Sequence, residues 1–215
     1  MKEAILFDLD GTLWDATSSA SELWNRVLEK HASALRMTPA FAAALMGKTM
    51  KEVGAILFPA LSPDERRTIT DEFGAEEVRY LAEHGADLYD GVKETISVLA
   101  EEYDLYIVSN CQDGYVPAFL HAHSLQAFFR DHEMSGRTGM DKGRNIRLLM
   151  ERNGIRKAVF VGDAASDEEA ARFAGIPFIW AAYGFGKAAD PDASIRCMKD
   201  LPGCVQGILR PLSPP

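Results

Sequence analysis

Asp8 and Asp10 stand two residues apart at the end of the apolar stretch AILFDL, with Gly11 and Thr12 directly behind them. Carboxylates at i and i+2 project from one side of an extended chain, and glycine lets the backbone turn away after them. Buried strands do not ordinarily end in paired acids. Other apolar runs also end in polar residues: Ser109 and Asn110 close DLYIVSN, and Asp163 and Asp167 follow KAVFV, with Lys142 opening the helical segment before that run. Four carboxylates brought together cannot all stay ionised unless a cation holds them. Oxygen donors without His or Cys favour Mg²⁺ over zinc. A metal beside a hydroxyl and a lysine suits a phosphate group. There, one carboxylate can act as nucleophile, and a second can protonate the leaving oxygen and then activate water. Asp8 and Asp10 could fill these two roles, and the residues alone leave their order open.

The elements that must position these groups are short. AILFDL at 4–9, DLYIVSN at 104–110, KAVFVGD at 157–163 and PFIWAA at 177–182 read as strands covered on both faces. Helical periodicity lies between them, as at Val92, Ile96 and Leu99 and at Ile146, Leu149 and Met150. Strand alternating with helix predicts a doubly wound, mostly parallel α/β sheet, in which ligands bind at the carboxyl ends of the strands. Residues 16–88 break the alternation and read as helices only. Thr38 and Ser62 stand as N-caps before proline, and Glu65 completes a capping box. Ile69, Phe73 and Tyr80 mark an apolar face. The organisation expected is an α/β core over 1–15 and 89–210, a helical cap over 16–88 and a tail at 211–215.

Bulk properties exclude several classes. The formal charge of −9, from 32 acidic against 23 basic side chains without a basic block, argues against nucleic acid. No apolar run approaches the roughly 18 residues of a membrane span, and the early strand leaves no room for a signal peptide. Cys111, Cys197 and Cys204 show no CxxC pair and read as reduced thiols of a cytoplasmic protein.

DLDGT, VSN, DKG and VGDAASD resemble, in order, the four motifs of the haloacid dehalogenase superfamily, and the helical insertion resembles its C1 cap. The similarity covers essentially the whole chain and is nearest to the phosphoglycolate-phosphatase-like members. It implies Asp8 as nucleophile, and Asp10 as general acid and base with its backbone carbonyl on Mg²⁺. Ser109 and Asn110 would bind the phosphoryl group, Lys142 would balance its charge and that of the nucleophile, and Asp163 would join Asp8 and Asp10 at the metal. Thr12 and Asp167 would support the set. Asp10 separates this pattern from the superfamily's dehalogenases and phosphonatases. One departure is Gly143, where many relatives have proline.

The expected activity is Mg²⁺-dependent hydrolysis of a small phosphorylated metabolite through an aspartyl-phosphate, in a monomer or small homo-oligomer. A phosphomutase of the β-phosphoglucomutase type would use the same aspartates, and a non-catalytic binding module on the same fold is the remaining alternative. Lys48, in MGKT at 46–49, is a candidate substrate contact; the flanking glycines of a P-loop are missing there. Trp14 and Tyr183 read as packing residues, and Ser166 with Glu169 as a helix-capping pair.

Overall fold

The computed structural model describes residues 3–210, so the expected tail at 211–215 lies outside the described residues. Strand β1 (Ala4–Phe7) runs into a turn that leads to β2 (Trp14–Asp15). Helices α1 (Thr17–Lys30), α2 (Pro39–Ala43), α3 (Met50–Leu57) and α4 (Pro63–His84) follow, and β3 (Asp87–Leu88) pairs antiparallel with β2 to bring the chain back. The remaining elements alternate: α5 (Val92–Glu102), β4 (Asp104–Ser109), α6 (Tyr115–His123), β5 (Phe129–Met134), the short α7 (Ser135–Thr138) and α8 (Lys142–Arg152). Then come β6 (Ala158–Gly162), α9 (Ala165–Ala174), β7 (Phe178–Ala181), β8 (Ala193–Ile195) and α10 (Leu201–Leu209).

Six strands form one parallel sheet in the order β5-β4-β1-β6-β7-β8. The chain builds outward from β1 to β5, crosses over through α8, and continues from β6 on the other side. The order therefore reverses between β1 and β6, where doubly wound sheets bind ligands. The period of two in β1 sends Ile5 and Phe7 into the apolar layer under α5, α6 and α10, and Ala4 and Leu6 into the layer under α8 and α9. The four strands read from sequence are all present. The sequence reading does not give β2, β3, β5 or β8; β3 lies within 16–88, read there as helices only, and two-residue strands carry too little pattern to show. FRDHEM lacks an apolar run, because as the edge strand it is paired on one side and carries its Asp131 and Glu133 to an ion-pair network with Arg152.

Helices α1 to α4 share an apolar cluster of their own, centred on Trp24 stacked on Phe73 at 5.0 Å. Thr38 and Ser62 cap α2 and α4 as expected, and Ser62 with Glu65 forms the full capping box. The capping expectation at Ser166 and Glu169 is corrected. Helix α9 begins at Ala165, and the Asp167 carboxylate closes its start by accepting from the backbone N–H of Asp163 and Ala164.

Candidate active site

Asp8 follows β1 directly and is 1% exposed. Lys142, at the first turn of the crossover helix α8, donates its Nζ to Asp8 Oδ1 at 2.8 Å and to Asp167 Oδ1 at 2.5 Å. The lysine is itself 3% exposed. Burial alone would lower its pKa, but the carboxylates of Asp167 and Asp8 outweigh that and raise it, so it stays charged. Gly143 is accommodated for a steric reason: a Cβ there would stand 2.8 Å from the Phe173 ring. Lys157, the other lysine near this strand, instead pairs with Glu3 and the carbonyl of Leu209.

Gly11 makes the turn after Asp10 with φ +82°, and a Cβ there would stand 2.5 Å from Asp163 Oδ2. The ends of β1 and β6 therefore approach each other only over a glycine. Asp10 Oδ1 accepts from Trp14 Nε1 at 2.8 Å and from Tyr115 OH at 3.0 Å. Burial raises the Asp10 pKa to about 6, against the pull of these two hydrogen bonds. Asp163, after β6, is likewise raised to about 6, by burial and then by the Asp167 charge. Its Oδ2 is held by the backbone N–H of Phe185 and Gly186 at 2.7 and 3.0 Å.

Asp8, Asp163 and Asp167 each offer a carboxylate oxygen within 4.8 Å of the others, a geometry able to hold a metal. Both Asp167 oxygens are already engaged, one by Lys142 and one by the N–H groups at the start of α9. The better donors are Asp8 Oδ2, which is buried without a hydrogen-bond partner, and the Asp163 oxygen not held by the 185–186 backbone. One lysine against four buried carboxylates leaves the site short of positive charge, and burial followed by the Asp167 charge holds the Asp8 carboxyl well above the usual range. These hard oxygens fit Mg²⁺.

Ser109 ends β4, buried, with its Oγ accepting from Cys111 N–H at 3.3 Å. Asn110 reaches the cap: its Nδ2 donates to the Gly47 carbonyl at 2.8 Å, while its Oδ1 accepts from Ser135 Oγ. Thr12 is fully buried and its Oγ1 has no partner. Lys48 lines a small pocket with Asp10 and Ser109, although its side chain is exposed. That pocket, about 30 Å³, lies beside a cleft of about 1120 Å³ between cap and core, onto which Asn110 and Lys142 open. Burial raises the Cys111 pKa, which keeps the thiol protonated.

Besides the indole N–H of Trp14, the sequence reading missed four contributors. Tyr115 orients Asp10 from 105 positions away, and Trp14, read as packing, both packs on Tyr115 and Phe119 and donates to Asp10. Tyr183 packs on Tyr89 and donates its hydroxyl to the Thr12 carbonyl. The backbone of 185–186 holds Asp163, with Gly184 and Gly186 as its faint sequence signal. The fourth is Glu77 on α4, 2% exposed and pushed up to about 8 by burial and then by the Asp10 charge.

The sequence pattern of the haloacid dehalogenase-like hydrolases matches residues 5–181. The chain belongs to that family. A phosphoglycolate phosphatase from Pseudomonas putida is 26% identical, over 93% of this chain and 79% of its own length. The Escherichia coli phosphoglycolate phosphatase is 28% identical, over 92% of this chain and 90% of its own. Among solved haloacid dehalogenase-like folds, CbbY from Rhodobacter sphaeroides, in complex with xylulose-1,5-bisphosphate, superposes with a TM-score of 0.81 at 20% identity, covering 94% and 96% of the two chains. Among the described residues, no helix of this family member is long and apolar enough to cross a membrane.

Proposed function

We propose that this phosphoric monoester hydrolase acts on a small phosphorylated metabolite in two steps through Asp8. The observation that carries the reading is the state of the Asp8 carboxylate: Lys142 fixes one oxygen, and the other is buried and unpartnered beside Asp163. In the first step Asp8 attacks phosphorus, the ester P–O bond breaks, and Asp10 gives its proton to the leaving oxygen. In the second, Asp10 takes a proton from water as it attacks the acyl-phosphate, releasing inorganic phosphate and restoring Asp8. A pKa near 6 suits a group that must first give and then take a proton. Trp14 and Tyr115 orient that carboxyl, and Lys142, Ser109 and the Asn110 backbone take the phosphoryl oxygens.

Mg²⁺ would be held by Asp8, Asp163 and the Asp10 carbonyl, supplying positive charge against the phosphoryl oxygens. The cap, residues 16–88, excludes water from the first step. Lys48 meets the substrate at the pocket rim. The curated relatives are named as phosphatases, which favours hydrolysis over phosphoryl exchange between positions of a sugar.

The test is phosphate release from a panel of small phosphomonoesters, with Mg²⁺ and with chelator, by wild type and Asp8→Asn. We expect turnover of at least one ester, lost on chelation and reduced about 10³-fold or more in the variant. Turnover by Asp8→Asn at the wild-type rate would overturn the reading.

A further inference from the structure

Two buried polar side chains of the core have no role in the chemistry of Asp8 and Asp10: Ser135, 6% exposed, and Asn145, fully buried. Asn145 lies on α8 one turn after Lys142, and its Oδ1 accepts from Thr138 Oγ1 at 2.8 Å. Its Nδ2 donates to the Met140 carbonyl at 3.3 Å and to Ser135 Oγ at 3.5 Å. Accepting there leaves the single hydroxyl proton of Ser135 for Asn110 Oδ1, 2.9 Å away. With Oδ1 taken, the Asn110 amide presents Nδ2 to the cap, where it donates to the Gly47 carbonyl at 2.8 Å. Each link fixes the direction of the next. The chain of hydrogen bonds thus runs from the helix that carries Lys142, through the loop after β4, to the cap loop between α2 and α3. Its core end is firmly seated. Gly136 donates its N–H to the Cys111 carbonyl at 2.9 Å, and a Cβ on Gly136 would stand 2.4 Å from the backbone of Gln112 and Asp113. At the cap end, Gly47 has φ +76° with nothing within 4 Å of where a Cβ would be, so glycine serves the backbone angle there and not the space.

Resting on the phosphatase reading of the same site, we propose that Ser135 is a positioning residue for the reaction: it sets the Asn110 amide so that this side chain catches the cap loop 45–49 and holds Lys48 at the rim of the site. The orientation of the amide decides whether the catch works. Turned over, it would set Oδ1 against the Gly47 carbonyl, acceptor against acceptor, and push the loop away. Asn110 then serves two partners at once, its backbone facing the phosphoryl group and its side chain facing the cap, so cap closure and phosphoryl binding meet at one residue. Helix α4 is seated separately on the start of α6, where a Cβ on Gly114 would meet Val78 at 3.1 Å. Releasing the catch therefore frees the loop and leaves α4 docked. Asn110 is half-buried, so water can replace a lost Ser135 hydroxyl and the fold survives its removal.

The experiment compares wild type, Ser135→Ala, Gly47→Ala and the double variant, with folding checked by circular dichroism and Asp8→Asn as the control for the phosphatase reading. It reads deuterium exchange of peptides spanning 45–49, KM and kcat for p-nitrophenyl phosphate, and Ki for inorganic phosphate. In Ser135→Ala we expect exchange over 45–49 to quicken about tenfold while β1 and β4 stay unchanged. KM should rise roughly three- to tenfold, with kcat changed less. Inorganic phosphate rests on the core wall and has no leaving group under the cap, so its Ki should move less than about twofold. Gly47→Ala strains the other end of the same catch, and it carries the test if Ser135→Ala does not fold. The double variant should be no worse than the more damaging single one. Unchanged exchange or unchanged KM in the folded variants overturns the proposal. So does a Ki for phosphate that rises in step with KM, which would make Ser135 a support of the phosphoryl loop alone, and so do effects that multiply in the double variant. Each of these results leaves the phosphatase reading standing. No Asp8-dependent turnover of p-nitrophenyl phosphate by wild type removes both.

Discussion

The two walls of the cleft bury charge in opposite ways. On the sheet side, Lys142 sits between Asp8 and Asp167, and the remaining carboxylates are held by two side-chain donors at Asp10 and two backbone amides at Asp163. On the cap side, Glu77 has an amide and no cation. The sheet side is preorganised for a transferring phosphoryl group, whatever ester carries it. The two walls are joined by the Asn110–Gly47 and Gln112–Glu77 contacts.

The largest effect should follow from removing the sheet-side cation. Lys142→Met leaves two buried carboxylates without their partner, a loss of about 3–5 kcal/mol. Denaturant unfolding in the presence of chelator measures it, and unchanged stability would show that the pairing is not what holds this charge. Glu77→Gln should act the other way, with a sign set by pH. The folded pKa near 8 lies above the ordinary value of 4.5, so folding disfavours the ionised form. That penalty is absent below about pH 4.5, grows through the window, and is complete above about pH 8. Relative to wild type, the Gln variant should therefore gain stability between pH 5 and pH 8.5, by a few kcal/mol at most. Parallel unfolding curves at those two pH values test this, and an equal difference at both would remove the contrast between the walls. The smallest effect belongs to Lys48→Ala. As an exposed rim residue it should raise KM by roughly three- to tenfold with kcat nearly unchanged, in steady-state kinetics on the best ester.

Strand ends are legible because apolar runs that stop at polar residues announce themselves, which is how Asp8, Ser109 and Asp163 reach one sheet edge in both sequence and structure. Lys142 follows from the crossover helix it opens. Edge strand β5 escapes because its pattern is that of a half-solvated strand carrying ion pairs. The amides of 185–186 escape for another reason: a backbone N–H has no residue type. Tyr115 is one aromatic among several, and its hydroxyl's destination depends on how α6 packs. Glu77 was within reach. Following α4 from Phe73 to Tyr80 steps over the position where the stripe turns acidic, and the interval of four through 77 to Leu81 is the one the helix buries.

The central claim is that the phosphoryl group passes through Asp8. Its most direct test is a rapid acid quench of wild type during turnover of its best ester with Mg²⁺, followed by peptide mass spectrometry. One phosphoryl group on the peptide carrying Asp8, absent from Asp8→Asn quenched at the same times after substrate is added, is the predicted result. Sustained turnover with no phosphoryl group on that peptide at any quench time, and with inversion rather than retention of configuration at phosphorus, would contradict it.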